Sequence, residues 1–419
     1  MPAVSQRGKT AYASPIRKLE DAAQAAVERG TRIYHLNIGQ PDIPTPPEAL
    51  AAMRRLDLEV LAYGPARGLT SYRKRLTDYY GRHRIALDYT DIIVTTGASE
   101  AIYLTLLSVC DPGDEVIVPE PFYALYNGFA QTTGIRIVPV PTYLEDGFAL
   151  PDTPAFAERI TPRTRAILLC NPNNPTGCLY PEAKLRALGA LVRTHDLFLL
   201  CDEVYREFNY SDAPFFSILQ LPDLHAHAIV LDSISKRYSS CGARVGAVVC
   251  RNAAVLDNLV KFARFRLCPP GLGQLLAEAT LDAGPAYLDA AVAEYRRRRD
   301  VLIDRLSRIS GVKCYVPEGA FYAFAALPIA DAEAFCAWLL TDFSDNGETV
   351  MLAPGAGFYA TPGRGINEVR IAYVLNTRDL ERAMEILEVA LRQYQELYSR
   401  ATALTAAAPD DEALQARKE

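Results

Sequence analysis

Membrane-length hydrophobic runs are missing from this 419-residue chain: no stretch approaches the ~18 consecutive apolar residues of a spanning helix. The opening residues MPAVSQRGKTAYASPIRK also lack the apolar core of a secretory signal, so the expectation is a cytoplasmic protein with no membrane partner. Nine cysteines, at positions 110, 170, 178, 201, 241, 250, 268, 314 and 336, never fall in the CxxC pairs that zinc or dithiol chemistry requires. Their odd number and scatter point to reduced thiols and to no metal site. Excess positive charge is absent as well. With 44 Lys and Arg against 50 Asp and Glu, the formal net charge of -6 provides no basic field to neutralise nucleic-acid phosphates. The phosphate loop GxxxxGK[ST] does not occur, and no internal repeat is visible. The five histidines, His35, His83, His195, His225 and His227, fall in no motif and read as surface or structural side chains.

What is present is apolar bulk. Half of the residues are hydrophobic and 22% are charged, enough to bury a large core and to divide into two domains. Short apolar runs bounded by turn residues occur at 92–94, 115–118, 135–138, 166–170, 197–201, 229–231 and 245–250. Unbroken runs of this length suit strands covered on both faces. Helical patterns such as 100–109, 183–195 and 254–265 lie between them. The alternation predicts an α/β fold with a mostly parallel sheet flanked by helices. From about Tyr287 a long charged helix and strands near Cys314, Tyr322 and Val369 predict a smaller α+β domain. The expected division is an N-terminal segment 1–45 joining the small domain, a large domain 46–290, a small domain 291–400 and a tail 401–419 that frays or forms a loose helix.

Ligands of open α/β sheets bind beyond the carboxyl ends of the strands, so the loops there are the place to look for chemistry. The segment Asp232 to Gly246, DSISKRYSSCGARVG, follows an apolar strand and surrounds Lys236 with small residues. Partial desolvation and neighbouring cations would favour a neutral, nucleophilic amine able to form an imine with a carbonyl group. Arg244 offers a bidentate partner for phosphate, and Ser233 and Ser235 offer hydroxyl donors. The plainer reading is a solvated Lys-Arg loop. TTGASE, residues 95–100, lies between a strand and an apolar helix, where the N–H groups of Ala98 and Ser99 would attract a phosphate; the plainer reading is a tight turn. In NPNNPTG, residues 171–177, two prolines fix a bend that holds the Asn174 amide. The strand from Leu197 runs straight into Asp202, a carboxylate that needs a partner to offset desolvation. A magnesium ion, a helix N-terminus or the protonated nitrogen of an aromatic ring would serve, and magnesium lacks its usual companion loop.

In this order GAS at 97–99, NPNNPTG at 171–177, DEVY at 202–205, and SISK at 233–236 with Arg244 resemble the class I/II aminotransferases of fold type I, the aspartate aminotransferases above all. The resemblance extends to NIGQPDIPTP at 37–46, YGPARGLTSYR at 63–73, PEPFY at 119–123 and NEVRIAY at 367–373. It implies pyridoxal 5'-phosphate as cofactor. Lys236 matches the lysine that holds it as a Schiff base and then moves a proton between substrate Cα and cofactor C4′. Asp202 matches the carboxylate that keeps the pyridine nitrogen protonated, while Tyr205 and Asn174 match the pair that hydrogen-bonds the ring hydroxyl. Tyr123 falls where the family stacks an aromatic ring, often tryptophan. Ala98, Ser99, Ser233 and Arg244 match the phosphate cup. Tyr63 matches a tyrosine that reaches the phosphate from a neighbouring subunit, which implies a homodimer with shared active sites. Arg370 matches the arginine that clamps the substrate α-carboxylate, and Gly39 a backbone contact to substrate; Tyr123 and Asn174 face the substrate as well.

The implied reaction passes an amino group from an amino acid, aspartate by overall likeness, through pyridoxamine phosphate to 2-oxoglutarate. Aromatic, alanine or diaminopimelate-type substrates, and a lyase or decarboxylase on the same fold, remain alternatives. A dicarboxylate substrate needs a second cation. Arg264 and Arg266, in KFARFRLCPPG, are the candidates, against the plainer reading of solvated helix arginines. Ser99 stands where some aspartate-specific relatives place a lysine. A regulator that borrows this fold would carry a basic DNA-binding domain first, and the resemblance begins within the first 40 residues.

Overall fold

The computed structural model describes residues 2–407. Its largest element is a seven-stranded sheet in the order Ile92–Thr95, Gly246–Cys250, Ala228–Ser233, Phe198–Asp202, Thr164–Cys170, Glu115–Glu120, Arg136–Pro141. The last five pair in parallel. Gly246–Cys250 alone runs antiparallel to both of its neighbours.

Successive side chains of a strand point to opposite faces, and here both faces are apolar. Val94, Ile117, Ile167, Leu199, Val230 and Val249 belong to one core, packed with side chains of the helices Thr70–Arg82 and Glu182–Thr194. Ile93, Val116, Leu168, Leu200, Ile229 and Val248 belong to another, packed with the helices Gly97–Val109 and Ala253–Ala263. Each predicted apolar run is a strand of this sheet, with ends shifted by at most three residues. The helix expected from Glu100 starts earlier, at Gly97.

The remaining strands form a second unit. Arg32–His35 pairs in parallel with Glu348–Met351, and an antiparallel sheet is ordered Ala353–Pro354, Glu368–Ala372, Tyr322–Ala326, Lys313–Cys314. Their core includes Tyr295, Leu302, Phe321, Phe335, Ile371 and Leu387, from strands and from the helices Gly284–Ser307, Ala332–Thr341 and Thr377–Ala407. Helix Gly284–Ser307 straddles residue 290 without a break. The helix Thr377–Ala407 takes in the first residues of the expected tail, whose residues 408–419 lie outside the described ones. Among the described residues no helix is long and apolar enough to cross a membrane.

Register explains why the motifs converge. Thr95 and Ser233 both lie opposite Gly246, so the ends of two strands and the start of the antiparallel one coincide. Asp202 is the last residue of its strand and lies next to Cys170, just before the NPNNPTG bend.

Candidate active site

At this strand edge is a cavity of about 370 Å³. A wider groove of about 840 Å³ follows the helix Gly284–Ser307, but Asp289, Arg296, Asp300 and Asp304 line it at ordinary helix-surface spacing and no motif residue reaches it. The smaller cavity is the candidate site, because the motifs meet there.

Lys236 sits on the one-turn helix Ile234–Arg237, which Ser233 caps by accepting from the Ser235 N–H at 3.1 Å while donating to Val245 O at 2.8 Å. The Lys236 ammonium donates to Gly39 O at 2.7 Å. Gly39 admits no side chain: a Cβ there would lie 1.8 Å from Tyr322 Oη.

Asp202 is buried, and accepts from Tyr126 Oη at 3.2 Å and the Val204 N–H at 3.3 Å. Neither partner is charged, and burial pushes the carboxyl up to about 7. Tyr205 Oη lies 2.9 Å from Tyr322 Oη and 3.4 Å from the donating Asn174 Nδ2. Burial raises the Tyr205 hydroxyl well above its ordinary value. Tyr123 lines the same space, its ring edge-on to Tyr126 at 5.6 Å between centroids.

Arg370 lies on strand Glu368–Ala372 and is fully buried. Its Nη1 donates to Asn174 Oδ1 at 2.9 Å and Nη2 to Asn37 O at 2.6 Å, while its Nε has no protein partner. Tyr322 lies 4.5 Å beneath the guanidinium, measured to the ring centroid.

At the start of helix Gly97–Val109, Gly97 has φ +75°, and a Cβ on it would lie 2.4 Å from Arg244 Nη2. A Cβ on Gly246 would meet Ala98 N at 2.8 Å. These close approaches set the N–H groups of Ala98 and Ser99 beside a guanidinium that donates to Cys241 O at 3.0 Å. Glycines there leave the helix start open to an anion.

Eleven of the twelve predicted site residues therefore line one cavity: Gly39, Ala98, Ser99, Tyr123, Asn174, Asp202, Tyr205, Ser233, Lys236, Arg244 and Arg370. Tyr63 does not; it is 80% exposed, on a loop with exposed Val60 and Leu61. Arg264 and Arg266 are also absent from the lining. Arg264 is exposed, and Arg266 pairs with Glu100 at 2.8 Å and donates to Val94 O at 2.8 Å, bracing the helix start from behind.

Tyr322, Tyr126, Asn37, Gln40 and the Ser14–Arg17 stretch take part in the site but escape the sequence reading. Tyr126 had one usable signal, its spacing three residues after Tyr123 at a helix start. Among the described residues no group of three or more His, Cys, Asp and Glu side chains is arranged to hold a metal.

The cavity thus presents an anion cup, a buried carboxyl lacking a cation, a lysine, and an arginine with a spare N–H. A phosphorylated, protonated heteroaromatic aldehyde and an amino acid carboxylate match these four features. The family model for aminotransferase class I and II matches residues 31–387. The chain belongs to that family.

Class I and II aminotransferases depend on pyridoxal phosphate, and the residues just described fit that cofactor. The chain is 30% identical to the aspartate aminotransferase of Musicola paradisiaca over 94% of its own length and 98% of the relative's. It is 35% identical to the arginine–pyruvate transaminase of Pseudomonas aeruginosa, over 86% and 90%. The aspartate aminotransferase from Thermus thermophilus, solved with maleate, superposes with a TM-score of 0.83 at 28% identity, covering 93% of this chain and all of that one. The aminotransferase fold, α/β with a mostly parallel central sheet, is common to them. The named substrates differ among these relatives, so the substrate must be argued from the cavity.

Proposed function

We propose that this aminotransferase moves the amino group of a dicarboxylic amino acid, aspartate in the first instance, to 2-oxoglutarate, with Lys236 as its catalytic base. The observation that carries this reading is the convergence of Lys236, Asp202 and Arg370 on one cavity, with neither Asp202 nor Arg370 held by an opposite charge there. Bound pyridoxal phosphate supplies the carbonyl carbon that takes the amino group and a protonated ring that accepts electrons.

Each protein group then has a task. Arg370 grips the substrate α-carboxylate with its planar fork, and Asn174 and Asn37 hold that fork in place. Lys236 Nζ would hold the cofactor and would then move the proton at substrate Cα. Asp202 would hold a proton on the ring nitrogen, and that charge would offset the burial that raises its carboxyl. Tyr205 and Asn174 would hold the ring hydroxyl and Tyr123 would cover the ring; all three line the cavity, as does Gly39, whose carbonyl accepts from Lys236. Ala98, Ser99, Ser233 and Arg244 hold the phosphate.

Tyr63 completes the phosphate site of a neighbouring copy in a homodimer. Its exposure beside Val60 and Leu61, with Phe265 84% exposed, supports that assignment. The joining of the N-terminal segment to the smaller C-terminal domain is supported by the pairing of Arg32–His35 with Glu348–Met351, while helix Gly284–Ser307 runs through the boundary expected near residue 290. A cytoplasmic location agrees with the thiols being free.

Absorbance spectra of the purified protein with pyridoxal phosphate, followed by single amino acids without any oxo acid, test the reading. A visible-edge band that aspartate discharges, and that Lys236→Ala never forms, is expected. A band discharged only by alanine or an aromatic amino acid would replace the substrate, and an identical band in the Lys236→Ala protein would remove Lys236 from its role.

A further inference from the structure

The described lining of the cavity carries five charged side chains: Arg17, Lys236, Arg244 and Arg370 against Asp202 alone. Under the reading above, three of the cations have work: Arg244 faces phosphate, Arg370 an α-carboxylate, and Lys236 the reacting carbon. Arg17 is left without a counterpart in either cofactor or α-carboxylate. Among the described lining residues a basic amino acid would find no free carboxylate for its side chain, because Asp202 belongs to the ring, and neighbouring Glu20 is paired with Arg17. The charge balance of the lining therefore separates the two kinds of substrate named for the relatives.

Arg17 is also suitably placed. Ile16 O accepts from Asn37 Nδ2 at 2.9 Å, and the carbonyl of the same Asn37 accepts from Arg370 Nη2 at 2.6 Å. One asparagine thus joins the α-carboxylate clamp to the residue before Arg17. The segment is fastened from outside as well: Tyr12 Oη donates to Gly357 O at 2.8 Å, and Pro15 packs so closely that a Cβ on Gly357 would lie 2.4 Å from it. Among the described residues the ion-pair partner of Arg17 is Glu20, at 2.7 Å, itself half exposed. Such a surface pair contributes little and is readily exchanged.

We propose that Arg17 is the specificity-determining residue of this aminotransferase: it leaves Glu20 to bind the distal carboxylate of a dicarboxylic substrate, with Ser14 and Gln40 as added donors. The assignment rests on the dicarboxylate reading above and replaces Arg264 and Arg266 in that task.

The test compares binding of unreactive succinate and butyrate to the holoenzyme by calorimetry, for wild type, Arg17→Met and Arg17→Lys. Wild type is expected to prefer succinate by roughly 10-fold or more, as a charge-assisted contact requires. Arg17→Met is expected to lose that preference while holding butyrate within about 2-fold, and Arg17→Lys to keep part of it, since lysine retains charge without the fork. Added salt is expected to shrink the preference, because the side chain is exposed. If Arg17→Met keeps the preference, Arg17 is the wrong cation and the dicarboxylate class stands. If wild type shows no preference, the dicarboxylate class itself falls. Equal weakening of both ligands in Arg17→Met would reduce Arg17 to a structural role and overturn the proposal.

Discussion

Two pairs of adjacent residues separate the cavity from the framework behind it. Asp202 and Lys236 line the cavity, whereas Glu203 and Arg237, one residue further along each segment, lie in a buried ionic cluster. There Glu203 meets Arg206 at 2.9 Å and accepts from Ser217 Oγ at 2.9 Å, while Asp232 meets Arg237 at 2.6 Å and accepts from Tyr80 Oη at 2.8 Å. Arg237 lies over the Tyr79 ring at 4.4 Å to the centroid. Burial alone would raise the Asp232 carboxyl, but Arg237 and Arg206 outweigh it and hold the group well below the ordinary carboxylate range. Burial of Asp202 instead outweighs the Val204 and Tyr126 hydrogen bonds and the charge of Lys236. Framework charges are paired by the protein, whereas Asp202 and Arg370 in the cavity have no ion-pair partner among the described residues. Because Asp232 holds both Arg237 and the Ser233 N–H, at 2.7 Å, the cluster also clamps the turn that carries Lys236.

The contrast can be broken by substitution. Lys236→Ala should lower turnover by at least ~10³-fold with little change in melting temperature, since a proton-transferring group is removed from a cavity wall; steady-state kinetics and a thermal scan check both halves. Arg237→Ala should do the reverse, destabilising the protein by about 3–5 kcal/mol, because buried Asp232 loses its closest cation and keeps only Arg206 at 4.0 Å. Denaturant unfolding would measure that loss, and a stability equal to wild type would show that the cluster is not structural. Asp202→Asn should reduce turnover by roughly 10²–10³-fold yet leave cofactor-free protein at least as stable as wild type. A melting temperature lowered as far as in Arg237→Ala would erase the distinction.

The smallest effect is in pH. The Asp202 carboxyl is raised in the folded chain to about 7, so its contribution to stability is present below the unfolded value of about 4 and is lost as pH rises towards 7, at roughly 1.4 kcal/mol per unit. Asp232 is lowered, so its contribution is present above about 4 and lost in acid. Cofactor-free wild type should therefore lose stability between about pH 5 and pH 7 relative to Asp202→Asn. Parallel unfolding curves for the two at both pH values would refute the shift.

Much of this was legible in the chain itself, for identifiable reasons. Strands such as Thr164–Cys170 are buried on both faces and leave unbroken apolar runs. Turns such as NPNNPTG must bend at the strand ends and so use unusual residues. Tyr322 left no trace of its role in the site, because that role comes from tertiary placement: it reaches Gly39, Tyr205 and Arg370 through the pairing of Tyr322–Ala326 with Glu368–Ala372; Asn37 lies in the NIGQPDIPTP motif, but its bonds to Ile16 and Arg370 are equally tertiary. Gly97 to Ser99 looked like a turn before the helix, because small residues mark both turns and helix starts. Tyr63 and Arg266 matched by position but not by contact within one chain.

The free thiols have an uneven fate. Burial raises Cys110 and Cys314 to about 12, which slows their chemistry. Cys241 lies in the cavity wall, its Sγ donating to Ser235 O at 3.1 Å and its carbonyl holding Arg244. Alkylation or peroxide at that sulfur would disturb the turn that orients Arg244, so ageing and thiol-directed labelling should be felt first as weakened cofactor retention.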